Sequence, residues 1–255
     1  MVLDVAPLET LRSRSNPLVK RYRAVRAGKV DGRVLLEGER LIADAVDSGL
    51  EVESILVDEA RIERSSLVDH PVLRPASRDV LEAVSGLTHA PDHAALFAAP
   101  TLADPTALEV GPRSLMVVLA DVGDPGNLGA CARVAEAGGA SALGLAGSGA
   151  SPWNTKALRG SMGSLLRLPL FEVRDAAQLA ERGWRSVRAA TRGGTRLEAF
   201  DWSGPIAIWL TGETGRAEVS GPVEDVTIPM AGAVESLNVS VAGALLVYAS
   251  GRVDG

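Results

Sequence analysis

An uninterrupted apolar stretch, Leu115–Ala120, constrains the fold of this chain more than any other feature. Six consecutive apolar residues are typical of a strand that is buried on both faces, as parallel strands covered by helices are. The periodicity predicts a helix over about 128–137 directly after this strand, and another strand near 142–145. Strands that alternate with helices indicate a parallel α/β unit.

The same alternation extends along the rest of the chain. In the second half we predict a helix over 176–182, strands over 186–190 and 206–210, and a final helix over about 236–250. In the first half, a helix begins after Asn16-Pro17 and ends near Gly28. Strands at 34–36, 54–57 and 94–98 and helices at 38–48 and 77–84 complete a smaller α/β unit.

The domain boundary is predicted at a cluster of helix and strand breakers. Pro100, Pro105, Gly111 and Pro112 interrupt both periodicities. We therefore expect a flexible tail over 1–11, a first domain over 12–99, a linker over 100–112 and a second domain over 113–255.

Composition excludes several classes of protein. No apolar run approaches the roughly 20 residues that span a bilayer, and the N-terminus lacks the pattern of a secretory signal. Cys131 is the single cysteine, and three scattered histidines form no metal-ligand motif. These features predict a cytoplasmic protein with no membrane segment and no bound metal.

The charge distribution is uneven. The net charge is −6, yet residues 12–30 contain seven Lys and Arg residues and no Asp or Glu. A local basic segment can bind a polyanion although the whole chain is acidic, because screening limits the reach of each charge to about 10 Å. An exposed helix face that merely carries arginines explains the same pattern equally well.

Three segments at predicted strand ends combine glycine with polar residues: 121–133, 210–216 and 228–242. Glycines between a strand and a helix let the backbone approach a ligand. In the first segment, Gly123, Gly126 and Gly129 are spaced three and three, whereas a dinucleotide fingerprint needs two and three. A nicotinamide-dependent oxidoreductase is therefore only a remote alternative.

Together these segments resemble the SpoU/TrmH family of the SPOUT superfamily, which comprises RNA ribose 2′-O-methyltransferases. Asn127, Gly129 and Arg133 match the spacing of the family's first motif, and residues 228–240 match its third motif almost letter for letter. The second motif usually reads Gly, a small polar residue, then Glu. Here the order is Thr211-Gly212-Glu213, so the glycine is displaced by one position.

The resemblance covers residues 13–250. It implies a small N-terminal α/β RNA-binding domain followed by an α/β domain with a trefoil knot, and S-adenosylmethionine as the cofactor. It also implies an RNA substrate, with ribosomal RNA favoured over transfer RNA and an antibiotic-resistance role left open. A non-catalytic RNA-binding protein that retains the fold is the main alternative.

The resemblance assigns roles to particular residues. The catalytic set comprises Arg133, Asn127, Glu213, Ser236 and Asn238. The cofactor-binding set comprises Leu210, Thr211, Gly212, Ile228, Pro229, Met230 and Leu237. From the charge pattern and the resemblance we expect RNA to contact Arg12, Arg14, Lys20, Arg21, Arg23, Arg26 and Arg159.

A homodimer is also expected, because family members build the site at a subunit interface. The final predicted helix offers Val241, Leu245 and Leu246 as an apolar face for a second copy.

Overall fold

A computed structural model describes residues 9–212 and 219–252, and Glu213 lies outside these residues. The chain divides into two compact units, one ending at Pro100 and one beginning at Thr101. Each unit is built around its own sheet.

The first unit is a mixed sheet with helices packed on it. The strands lie in the order β1-β4-β2-β3, with β4 antiparallel to both neighbours and β2 parallel to β3. In chain order, the elements are α1 (Pro17–Arg26), β1 (Arg33–Glu37), α2 (Glu39–Asp47), β2 (Val52–Asp58), β3 (Leu73–Ala76), α3 (Arg78–Val84) and β4 (His93–Ala98).

Helix α1 begins where the sequence indicates. The Asn16 side chain accepts a hydrogen bond from the Leu18 amide at 2.9 Å, and Pro17 occupies the first turn. Tyr22 fixes the helix to the sheet: its ring is fully buried and its hydroxyl donates to the Ser54 carbonyl at 3.0 Å. The helix therefore presents one buried face, and its basic residues lie on the others.

The N-terminal segment is held more firmly than the predicted tail. The Leu11 amide donates to the Pro75 carbonyl, and the Leu11 carbonyl accepts from the Ser77 amide, both at 2.9 Å. Leu11 thus pairs alongside β3, a strand that the sequence did not predict because Pro75 interrupts its apolar pattern.

The second unit is a parallel sheet flanked by helices. Its strands lie in the order β7-β6-β5-β10-β8-β11-β9, and every pairing along it is parallel. The strands are β5 (Leu115–Ala120), β6 (Ala142–Ala146), β7 (Leu170–Glu172), β8 (Arg185–Ala190), β9 (Thr195–Arg196), β10 (Ile206–Thr211) and β11 (Val223–Thr227). The helices are α4 (Pro125–Ala137), α5 (Thr155–Ser161), α6 (Ser164–Arg167), α7 (Ala176–Ala180) and α8 (Val239–Ala249).

The predicted α/β class is confirmed, and all six residues of β5 are buried at the centre of the sheet. Ala103 pairs with Phe171 of β7, so the chain after Pro100, expected as a linker over 100–112, is part of the second compact unit. A short strand contact of this kind leaves no periodic pattern in the sequence.

Two helix starts differ from the sequence expectation. Helix α4 begins at Pro125 rather than near 128, because the Asp124 carboxylate accepts from the Asn127 amide at 2.8 Å and caps the helix. Helix α8 begins at Val239 rather than 236, because Asn238 caps it through the Ser240 amide at 2.9 Å. In both cases the capping side chain, not the apolar periodicity, sets the first residue.

Candidate functional site

A cleft opens where two neighbouring strands separate. Strand β10 pairs with β8 from Ile206 to Trp209, and the pairing then stops. Beyond that point β10 continues beside β5, and β8 continues beside β11. The space between the two strand ends has a volume of about 250 Å³. It lies at the carboxyl ends of parallel strands, where open α/β sheets bind their ligands.

Most of the predicted cofactor-binding residues line this cleft. Two separate motifs line the same cleft: residues 210–212 form part of its wall, and residues 228–237 form another part. The lining includes Leu210, Thr211, Gly212, Ile228, Met230 and Leu237. Pro229 is exposed and is not part of the wall, whereas Ser236, predicted as catalytic, is part of it.

The sequence reasoning missed the contribution of β8 and α8. Ala189, Ala190 and Thr191 at the end of β8 line the cleft, as do Val239 and Ala242 on α8. The strand over 186–190 was predicted, but its position next to β10 was not, because strand order is not encoded in local periodicity. Small alanine side chains on both walls leave room for a ligand that packs against the backbone.

Two helices meet with their N-terminal ends at this edge of the sheet. The Asn238 side-chain amide donates to the Asn127 side-chain oxygen at 3.0 Å, joining the start of α8 to the start of α4. At the other end of the pair, Gly138, the C-cap residue of α4, packs against Val247 of α8 so closely that a Cβ would overlap it. Helices α4 and α8 therefore run side by side in the same direction, and this hydrogen bond joins two residues of the predicted catalytic set.

An ion pair lies at the start of α4. The Lys156 ammonium donates to the Asp124 carboxylate at 2.7 Å, and this hydrogen bond lowers the pKa of Asp124 below its ordinary value. The Asn127 amide adds to the same effect. Asp124 is therefore a carboxylate at neutral pH, and it holds the first turn of α4 in place.

Arg133 lies on the exposed face of α4, away from the sheet. Within the described residues its guanidinium makes no hydrogen bond and no ion pair. The structure does not place it against Asn127, Ser236 or Asn238. Arg159, predicted to bind RNA, lies on α5 and is half-buried.

Cys131 is not a nucleophile in this site. It is buried in α4, and burial raises the pKa of its thiol to about 12. The thiol is thus neutral at physiological pH. In the ranges that the structure covers, no group of three or more His, Cys, Asp or Glu side chains could hold a metal ion, and no helix is long and apolar enough to cross a membrane.

The basic segment of the first unit is largely paired. Arg12 forms two hydrogen bonds with Glu59, Arg14 pairs with Asp79, and Arg21 pairs with Glu53. Each of these arginines was predicted to bind RNA. The carboxylates come from distant positions in the chain, which is why the segment 12–30 alone suggested an uncompensated charge.

Three further basic residues on α1 differ in whether their side chains have hydrogen-bond partners. The Arg26 guanidinium donates to main-chain carbonyls at the end of α3, including that of Ser85. Lys20 and Arg23 are exposed. In the part of the chain that is described, neither side chain forms a hydrogen bond or an ion pair. The cationic surface that remains for a polyanion on α1 is therefore centred on Lys20 and Arg23.

The fold and the cleft define a parallel α/β protein with a ligand site at the carboxyl ends of its strands. The chain belongs to the SpoU rRNA methylase family, whose model matches residues 114–248. This confirms the resemblance found in the sequence motifs.

Relatives and a solved structure agree with this membership. The chain is 30% identical to the 23S rRNA (guanosine(2553)-2′-O)-methyltransferase RlmP of Bacillus subtilis, over 94% of this chain and 98% of that protein. It is 37% identical to the 23S rRNA (guanosine-2′-O-)-methyltransferase RlmB of Ralstonia nicotianae, over 54% of this chain and 58% of that protein. The SpoU methyltransferase AviRb of Streptomyces viridochromogenes, solved with AdoMet, superposes with a TM-score of 0.78 at 27% identity, covering 93% of this chain and 97% of that one.

The motif glycine Gly129 serves helix packing. A Cβ at this position would lie 2.8 Å from the Ser161 amide nitrogen and closer still to the Ala157 carbonyl oxygen, both on α5. The glycine therefore lets α4 approach the backbone of α5. This packing role accounts for Gly129 without a bound dinucleotide.

We predict that Gly129→Ala destabilises the protein by about 2–3 kcal/mol, because the added methyl group forces α4 and α5 apart. The measurement is the free energy of unfolding in denaturant. The matched control is Gly123→Ala, since a Cβ at Gly123 meets no atom within 4 Å. Equal stability of the two variants would contradict the packing role.

Proposed function

We propose that this protein transfers a methyl group from S-adenosylmethionine to a ribose 2′-hydroxyl of ribosomal RNA. The observation that carries the proposal is the cleft between β10 and β8, which the second and third family motifs line together. RlmP and RlmB, by their names, methylate the ribose of guanosine in 23S rRNA, and AviRb was solved with the same cofactor. These relatives favour ribosomal over transfer RNA and a cytoplasmic location.

The cleft fits such a cofactor by its shape and lining. Its walls combine alanine side chains with residues 210–212, Ile228 and Met230, so a ligand can reach main-chain donors and acceptors there. When bound, S-adenosylmethionine supplies a methyl group already activated on a sulfonium. The chain's own residues then have to position the ribose and manage its proton.

The residues of the predicted catalytic set divide this work. The hydrogen bond between Asn127 and Asn238 fixes both side chains where the N-terminal ends of α4 and α8 meet. Ser236 lines the cleft. Arg133 stabilises charge that develops on the ribose oxygen or clamps the adjoining phosphate. A guanidinium, which stays protonated in proteins, serves that role better than the role of a base. Glu213 completes the proposed set from outside the described residues.

The knotted passage of residues 210–250 is part of this proposal. Strand β10 lies between β5 and β8, and β11, the next strand in the chain, lies on the far side of β8. That strand order supports a C-terminal segment that passes through an earlier part of the chain.

We predict that Arg133→Ala lowers methyl transfer by at least about 10²-fold, because the charge opposite the reacting oxygen is lost. Affinity for S-adenosylmethionine stays within twofold, since Arg133 lies away from the cleft lining. Turnover on ribosomal RNA and calorimetric cofactor binding measure the two effects. Arg182→Ala is the exposed-arginine control and should keep wild-type turnover. Near-normal turnover in Arg133→Ala would contradict this role of Arg133, whereas a wild-type protein that binds RNA without methylating it would favour a non-catalytic RNA-binding protein.

Fewer basic residues are available to contact RNA at α1 than the charge count suggests. Arg12, Arg14 and Arg21 are engaged by carboxylates, so each brings a neutralising partner to any phosphate it approaches. We propose that Lys20 and Arg23 make the phosphate contacts of this helix.

We predict that Lys20→Gln with Arg23→Gln weakens RNA binding and flattens the slope of log affinity against log salt by roughly 1.5 units, because two phosphate contacts are lost. Filter binding between about 50 and 200 mM salt measures the slope. The control replaces Arg12 and Arg14 by Gln and leaves the slope nearly unchanged. If both pairs flatten it equally, the ion pairs do not screen these arginines from RNA.

A homodimer through α8 is the third part of the proposal. Val241, Leu245 and Tyr248 are 48%, 41% and 55% exposed and share one face of the helix. The predicted contribution of Leu246 is wrong, because this side chain is fully buried inside its own unit. Tyr248 takes its place on the face that a two-fold partner would cover.

We predict that Leu245→Glu converts the dimer to a monomer, because a carboxylate would be buried at the centre of the interface. Light scattering coupled to gel filtration at micromolar concentration measures the mass. Leu87→Glu, an equally exposed leucine in the first unit, is the control and keeps the mass of a dimer. A monomeric wild-type protein would remove this part of the proposal.

A further inference from the structure

We propose that Asp121 is a positioning residue that fixes the backbone of the cofactor loop, residues 210–212. The inference rests on the proposed function, since it concerns how this chain shapes its cofactor cleft. Asp121 follows β5 directly, at the start of the segment 121–133, and the family resemblance assigns it no role in the site.

The backbone of Asp121 is in a conformation that side chains disfavour. Its φ is +51°, and among the described residues other than glycine only Met162 shares this left-handed region. A residue persists in such a conformation when its surroundings hold it there. The contacts of Asp121 show which groups hold it in this conformation.

The carboxylate of Asp121 joins the ends of β5 and β6. Its Oδ1 accepts from the Ser148 amide at 2.6 Å and from the Ser148 hydroxyl at 3.3 Å. The Asp121 amide in turn donates to the Ala146 carbonyl at 3.1 Å. These bonds lock the left-handed turn to the loop after β6.

The carbonyl of Asp121 defines the position of Gly212. A Cβ on Gly212 would lie 3.1 Å from the Asp121 carbonyl carbon and overlap its oxygen. The Gly212 amide donates to the Ala120 carbonyl at 3.0 Å, so the loop is pressed against the end of β5. Gly212 lines the cofactor cleft. The turn at Asp121 therefore positions this part of the cleft wall by direct contact.

This contact also explains the displaced glycine of the second motif. The glycine is required at 212, rather than at 211, because 212 is the residue that meets the Asp121 carbonyl. Asp121 and Gly212 therefore act as a matched pair. The carboxylate fixes the turn, the turn places a carbonyl, and only a residue without a side chain fits against it.

The testing variant is Asp121→Gly in the full-length protein. Glycine adopts the left-handed conformation freely, so the variant keeps the turn accessible while removing the carboxylate that locks it. We expect affinity for S-adenosylmethionine, measured by calorimetry, to fall about tenfold, as the loss of a charge-assisted hydrogen bond gives. Turnover at saturating cofactor should stay within about twofold of the wild-type value, because the reacting groups are untouched.

The chain offers a matched control in Asp201→Gly. The Asp201 carboxylate likewise accepts from a serine amide and hydroxyl, those of Ser203, at 3.0 and 2.9 Å. That turn precedes β10 and so lies at the opposite end of the strands from the cleft. Asp201→Gly should leave cofactor affinity unchanged. Asp121→Asn, which keeps an acceptor oxygen, should restore affinity to within about threefold of wild type.

A second measurement works without any cofactor. Amide hydrogen exchange of Gly212 should accelerate in Asp121→Gly and remain at the wild-type rate in Asp201→Gly. Unchanged exchange and unchanged affinity in Asp121→Gly, or equal loss of affinity in the Asp201 variant, would overturn the inference. If the wild-type protein binds no S-adenosylmethionine while the exchange of Gly212 responds to Asp121→Gly, the proposed function fails and the positioning role stands.

Discussion

The parallel pairing of β10 between β5 and β8 is the constraint on which the candidate site depends. Backbone hydrogen bonds hold β10 to both neighbours through Trp209, and to β5 alone after it. The cleft exists because one pairing ends before the other. Everything that lines it, from Ala189 to Leu237, is placed by which strand lies beside which. The helix start at Asn238 and the turn at Asp121 then refine a space that the sheet has already opened.

Local signals in the sequence predict much of this arrangement. The apolar run of β5 and the cap at Asn16 act over a few residues, and the structure contains the elements that they indicate. Motif residues such as Asn127 and Asn238, 111 positions apart in sequence, could be brought together only through the family resemblance. The residues that were missed, Ala189 and Ala190 among them, carry no polar signal and contribute by being small next to a strand end.

The charge pattern shows what local sequence signals cannot predict. Seven cations within residues 12–30 predict a basic surface only if their partners are also local. In the folded unit, Glu53, Glu59 and Asp79 come from strands, turns and helices far along the chain and pair with three of the arginines. The pairs of Arg12 and Arg14 are exposed and contribute little to stability. Their larger effect is on recognition, because they decide which cations remain for a phosphate.

The side-by-side packing of α4 and α8 has an electrostatic consequence. Each helix carries roughly half a positive charge at its N-terminal end, and here two such ends meet at one edge of the sheet. Asp124 would cancel part of that field, but the Lys156 ammonium balances its charge. A chain of net charge −6 therefore keeps a locally electropositive rim beside its cleft. Attraction of a polyanion to that rim comes from aligned peptide dipoles, so no change in the pH between about 5 and 9 would titrate it away.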